Sequence, residues 1–202
     1  MTRMHNNALP DNPFWDFSLH FYRQPGAEEA LLLCQQQYGF NVNIILYILW
    51  FSDIGQGGLS QLKMRKILQL VASWHNKVVL PLRRLRNAID SEHQAELRRT
   101  ILEEELNAEH VEQLLLYEDV WFLTKKVKSP QQKMIDVCKS ISSYCYLMRV
   151  KADDALTETI NTLLQLLLPT CSQTEISDIT AARLHHHPKM SRVVGTQLWL
   201  DL

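Results

Sequence analysis

Glycine and proline are scarce in this chain, six and seven among 202 residues. A protein of short strands turns about every ten residues and draws on those two types to do so. Their shortage argues against a sandwich or barrel and for long helices. No apolar run exceeds the eight residues 44–51, far below the ~20 needed to cross a bilayer. Membrane insertion is therefore not expected. The start of the chain, with His5, Asn6 and Asn7, has neither the basic nor the apolar region of a secretory signal. The four cysteines, Cys34, Cys138, Cys145 and Cys171, show no CxxC spacing and fall in apolar stretches. They read as free thiols in a reducing compartment, which places the chain in the cytoplasm. A net charge of −1 gives no global field toward nucleic acid or membrane.

What the sequence does contain is helical period. Asn12-Pro13 is an N-cap followed by proline at the first helical position, and an aromatic helix over 14–22 follows. Pro25-Gly26 breaks the chain, and a second helix over 27–38 ends at Gly39. Residues 42–54 are apolar nearly all the way round, which places that helix at the centre of a bundle. Gly55, Gly57 and Gly58 close it. Ser60 caps a long segment over 61–89, in which Ile67, Leu70, Val71, Trp74, Val78 and Leu82 recur every three or four residues. Pro81 should kink or restart it. A helix over 91–123 follows, with Leu97, Ile101, Ala108, Val111, Leu115 and Phe122 as its core stripe. Ser129-Pro130 opens another, to about 150, and residues 153–168 form the next. Ser172 and Glu175 have capping-box spacing, starting a last helix to 184. The fold class is all-α: a single-domain helical bundle of seven or eight helices, with a flexible N-terminus over 1–11, a body over 12–184 and a tail over 185–202. Val193, Val194, Leu198, Trp199 and Leu200 suit the tail to docking on the body or on a partner.

Motifs for chemistry are missing. The glycines at 55, 57 and 58 precede no GK[ST], so they form a turn and not a phosphate loop. His110 lacks the Glu three residues earlier that a di-iron bundle uses, since position 107 is Asn. His93 with Glu96 and Asp16 with His20 have the spacing of ordinary polar contacts. His185, His186 and His187 supply no fixed coordination geometry. No metal and no cofactor are expected. No GxSxG or cysteine-centred signature marks a nucleophile. Glu105, Glu109 and Glu112 follow one helical stripe; a solvated or arginine-paired face is the expectation, with acid–base work the alternative.

Charge is segregated along the chain. Residues 60–100 carry nine Lys or Arg against three acids, and residues 103–119 carry seven acids and no Lys or Arg. Arg83, Arg84 and Arg86, with Lys63, Arg65, Lys66, Arg98 and Arg99, are the candidate partner-binding residues. Two arrangements are open: these arginines engage a partner, or they pair with the acids of the neighbouring helix. Asn41 occupies an N-cap position. Asn43, in an otherwise apolar helix, needs hydrogen-bond partners; the Pro25-Gly26 turn is the expected one, and a ligand role for the two asparagines is the alternative.

A family resemblance covers about residues 14–117. It is carried by Phe14-Trp15 with Phe17-Ser18-Leu19, by Tyr22 and Pro25-Gly26, and by Gly39 with Asn41-Val42-Asn43-Ile44-Ile45-Leu46 and Leu49-Trp50. Trp74, Val78, Pro81-Leu82-Arg83 and Arg86 look like the family's W…V…PLR…R segment, and Glu105-Leu106 with Ala108-Glu109 resembles its EL-x-AE stretch. On these residues the chain resembles a proteobacterial family of conserved hypothetical proteins, domain of unknown function 2390. Asn41 departs from the Asp that family would have there. The resemblance implies a bacterial, cytoplasmic, helical protein and carries over no catalytic residue. The functional expectation is a non-catalytic interaction or adaptor protein that binds another protein through its charge-segregated helices. RNA or ribonucleoprotein binding through the arginines is one alternative. A small-ligand binder or enzyme with a pocket near Trp15, Asn43, Trp50 and Trp74 is the other. Whether the chain self-associates is left open.

Overall fold

The computed structural model describes residues 9–90, 93–120 and 122–184. The tail, His185 to His187, the first residues of the chain and Ser91 lie outside them. Within them the chain is helical, with no strand. In order come α1 (Pro13–Tyr22), α2 (Ala27–Tyr38), α3 (Val42–Asp53), α4 (Gln61–Trp74), a π turn (His75–Val79), α5 (Leu80–Ala88), α6 (Ala95–Glu118), α7 (Pro130–Met148), α8 (Asp154–Leu167) and α9 (Gln173–Leu184). Because α4, the π turn and α5 form one continuous rod, the described residues make eight rods.

Local chemistry sets the boundaries. The Asn12 carboxamide oxygen accepts the amides of Phe14 and Trp15 at 3.1 and 2.9 Å, satisfying donors that a helix start leaves free. Asn41, Ser60, Ser129 and Asp153 do the same for α3, α4, α7 and α8. At α9 the Glu175 amide donates to Ser172 Oγ at 3.3 Å and the Ser172 amide donates to Glu175 at 3.0 Å, a reciprocal capping box. Gly39 ends α2 in the left-handed conformation, at φ 66°.

The α3 helix is the centre. Residues 43–52 are all buried, and α1, α2, α6 and α7 pack around it. Each of its large apolar side chains contributes about 1.5–3 kcal/mol by leaving water. On one side Phe14 meets Tyr47 and Trp50; on the other α8 and α9 close over α2 and α7. No helix among the described residues is long and apolar enough to cross a membrane.

Past α3 the chain turns tightly. Gly55 has φ 77°, and the Lys126 amide donates to the Ile54 carbonyl at 2.8 Å. A Cβ at position 55 would collide with the Lys126 carbonyl. Gly55→Ala should cost about 1–3 kcal/mol from that clash and the left-handed backbone. Urea denaturation checks this; a variant as stable as wild type would mean that the 122–129 segment does not pack there.

One expectation holds and another needs correction. Pro81 stands at the second residue of α5, where the α-helix restarts after a break. The widened π turn just before it has the Leu80 amide donating to the His75 carbonyl, five residues back, and the ladder is already rearranged where proline lacks its donor. The rod thereby slips its α-helical phase: Val79 is buried while Val78 is only half-buried, and Leu85 is exposed. The α6 helix ends at Glu118, not near 123, and of its expected apolar stripe only Ala108 is fully buried. Leu97 and Phe122 are exposed, while Glu105, Ala108, His110, Glu112, Gln113 and Leu116 are buried.

Candidate functional site

The inward face of α6 is polar because its partners are polar. Glu112 is fully buried, and four side chains gather at or beside its carboxylate. Asn41 Nδ2 donates to Oε1 at 2.6 Å, Asn43 Nδ2 donates to Oε2 at 2.8 Å, and His75 Nδ1 lies 3.1 Å from Oε1. Gln113 completes the group by donating from Nε2 to Asn43 Oδ1 at 2.8 Å. The two asparagines reach α6 because they begin α3. Asn41 caps that helix through Oδ1, which accepts the Asn43 amide, so its Nδ2 points outward to Glu112. The Asn41 amide in turn donates to the Tyr144 hydroxyl at 2.9 Å, joining α7 to the centre. Asn43 thus finds its partners on α6 and not at the Pro25-Gly26 turn, because the first turn of α3 runs directly against α6.

A second cluster lies on the same face of α6. Arg83 donates from Nε to Glu105 at 2.8 Å, from Nη1 to Gln35 of α2 at 2.7 Å and from Nη2 to Glu109. Arg86 donates from Nε to the other oxygen of Glu105. One guanidinium therefore joins three helices. Burial pushes the Glu105 carboxyl up, but its bonds to Arg86 and Arg83 outweigh that and hold it below the usual range. Burial raises Glu109, with Arg83 offsetting part of the rise. Trp74 Nε1 donates to the Ala108 carbonyl at 2.8 Å, pinning α4 to the same stretch.

His110 sits on the flank of α6, with Trp15 stacked on its ring at 3.8 Å. Burial holds this imidazole below its usual value. Its Nε2 and Gln113 Oε1 are buried and have no hydrogen-bond partner among the described residues. Trp50 packs among Phe14, Tyr47 and Tyr117. Among the described residues no three His, Cys, Asp or Glu side chains could hold a metal ion. An open groove of about 600 Å³ lies elsewhere, on the outer side of α2 between Gly26 and Gln37.

The candidate residues thus divide. Arg83 and Arg86 turn inward and pair with acids of α6. Lys63, Arg65, Lys66, Arg84 and Arg99 are exposed, and Arg98 is half-buried. Asn41 and Asn43 join the buried centre. Sequence reasoning did not single out His75 or Gln35. His75 follows Ile67 and Val71 at four-residue spacing, which marks it as facing inward. Of the stripe expected to be solvated or arginine-paired, Glu105 and Glu109 are arginine-paired, whereas Glu112, flanked by Ala108 and Leu116 at helical spacing, is met by asparagines and a histidine.

The fold and site define a class: an all-α bundle closed around a buried carboxylate, with paired arginine and glutamate residues beside it. The model of the family described as a protein of unknown function, DUF2390, matches residues 13–116. The chain belongs to that family. The matched span runs from the first residue of α1 into the last turn of α6 and contains both polar clusters apart from Tyr144. No curated protein and no solved structure matches the chain.

Proposed function

We propose that the chain is a cytoplasmic, non-catalytic interaction protein that docks an acidic protein partner along α4, α5 and α6. One observation carries this reading. Six of the ten large apolar side chains left exposed among the described residues are leucines of these three helices: Leu62, Leu70, Leu85, Leu97, Leu102 and Leu106, between 37% and 67% exposed. Apolar side chains concentrated in this way mark interaction surfaces, whereas scattered ones need no explanation. Charge supplies the partner's sign. Residues 61–89 contain seven Lys or Arg and no Asp or Glu. Arg83 and Arg86 are neutralised from within. Lys63, Arg65, Lys66, Lys77 and Arg84 are exposed, with no ion-pair partner among the described residues.

The test is affinity purification of the tagged protein from its native host, with half of each sample treated with nuclease. Lys63→Glu, Lys66→Glu and Arg84→Glu together should abolish the recovery of nuclease-resistant partners and leave the circular dichroism unchanged. Arg83 and Arg86 are unsuitable for this purpose because their loss disturbs the fold. Partners that vanish with nuclease would instead assign the same cations to RNA, and binding would then fall steeply with salt.

A further inference from the structure

The two edges of the His75 ring face different surroundings. Nδ1 lies 3.1 Å from Oε1 and 3.3 Å from Oε2 of Glu112. Asn41 Nδ2 is 3.0 Å from the same nitrogen, but that amide already donates to Glu112 Oε1. Both nitrogens converge on one buried carboxylate, and the carboxylate selects the tautomer with the proton on Nδ1. Nε2 is left with its lone pair free. It has no hydrogen-bond partner among the described residues, and the side chain keeps 17% of its surface exposed. The ring stands in the π turn, midway along the stretch without carboxylates, and Lys77 is exposed two residues on. Irregular helical turns of this kind recur at functional sites.

We infer that His75 Nε2 is a phosphoryl acceptor and that its donor is an acyl phosphate. Other uses of such a nitrogen fit less well. Among the described residues it belongs to no group of three His, Cys, Asp or Glu side chains that could hold a metal ion, and no hydroxyl or thiol is bonded to it for deprotonation. The imidazole itself is therefore the nucleophile. The cations along the rod favour an anionic donor over a neutral one. In the step, the Nε2 lone pair attacks phosphorus and an N–P bond forms. The P–O bond to the acyl oxygen breaks, and the carboxylate leaves with the electron pair. The Nδ1 proton stays between His75 and Glu112, whose negative charge offsets the positive charge the ring gains on attack. Glu112 is a positioning residue in this scheme.

The experiment uses the purified full-length protein and acetyl phosphate at neutral pH, followed by peptide mapping under conditions that preserve phosphohistidine. Wild-type protein should gain about 80 Da as an acid-labile group, mapped to His75. Labelling at His75 should outpace that at exposed His20 and His93 by about tenfold. His75→Gln should remove the label. Glu112→Gln should slow it by about tenfold, while Glu112→Asp, which keeps the charge, restores much of the rate. A wild-type His75 peptide that stays unmodified while His20, His93 or His185 to His187 take the label would overturn the proposal, and that reading needs no variant to fold. Equal rates for Glu112→Gln and wild type would overturn the part assigned to the carboxylate. The labelling of wild-type His75 is read without the Lys63, Lys66 and Arg84 variants that test partner docking, so either reading can fail without the other.

Discussion

Replacing Glu112 with alanine should destabilise the protein by about 3–5 kcal/mol, the usual consequence of removing one partner from a buried charged network. For a chain of this length that corresponds to a fall of roughly 6–20 °C in Tm. The loss is large because it strands several groups together. Asn41 Nδ2 and Asn43 Nδ2 donate to the two Glu112 oxygens and His75 Nδ1 lies 3.1 Å from one of them, and a buried donor left unsatisfied costs about 1–3 kcal/mol by itself. Glu112→Gln keeps the volume but turns an amide donor toward the amide of Asn41 or Asn43. Its cost should be smaller, about 1–3 kcal/mol. Urea denaturation followed by circular dichroism measures both. An alanine variant within 1 kcal/mol of wild type, about the net worth of a single ordinary hydrogen bond, would show that the centre is solvated in solution and does not tie α3 to α6.

Loss of Arg83 should act more locally and nearly as strongly. None of the α5 residues is buried, so apolar packing does little to hold this helix. Arg83 and Arg86 bind it to Glu105 and Glu109, and Arg83 also reaches Gln35 on α2. Arg83→Met keeps the aliphatic bulk and removes the fork. The expected cost is about 3–4 kcal/mol, together with a marked loss of hydrogen-exchange protection across residues 80–88 and little change in α7 to α9. The penalty should also depend on pH. The Glu105 carboxyl titrates below its ordinary value in the fold, so its stabilising contribution is complete above the ordinary carboxylate range and is lost as pH falls through the folded value. Glu109 is raised; its ionisation costs the fold stability at neutral pH, and Arg83 reduces that cost. Both effects widen the gap between wild type and variant at pH 7 and narrow it in acid. Denaturation at pH 7 and pH 3 tests the sign, and a gap that is equal or wider in acid would exclude carboxylate pairing as its source.

Much of the architecture was legible because it depends on local chemistry. The caps at Asn12, Asn41, Ser60 and Ser129, the Ser172–Glu175 box and the all-round apolarity of α3 each express a backbone or solvation requirement met within a few residues. The face of α6 was not legible in the same way. Carboxylates are ordinarily counted as solvent-facing, and Glu105, Glu109 and Glu112 face inward only because arginines, asparagines and a histidine from α5, α3 and the π turn meet them there. That requirement is tertiary, and the α6 sequence alone does not contain it. Asn43 was legible as a group in need of partners, but their identity was not, since it follows from how α3 runs against α6. The spacing from Ile67 to Leu82 predicts an amphipathic face interrupted at Pro81, and the π turn places the interruption just before it, over His75–Val79.

That turn fixes a rotational reading frame for everything after it. A helix advances about 100° per residue, so the slip between His75 and Val79 is a frameshift in space: it turns Arg83 and Arg86 toward α6 and leaves Leu85 facing water. Straightening the turn into a regular α-helix with every residue kept would restore the original frame: Leu85 would rotate inward, both arginines would rotate outward, and Glu105 and Glu109 would lose their partners with no change in any of the residues that form the pairs. Deleting one residue there would instead remove the turn and leave the arginines on their present face. The identity of the ion pairs on α5 is therefore written as much in the winding of the turn before them as in the arginines themselves.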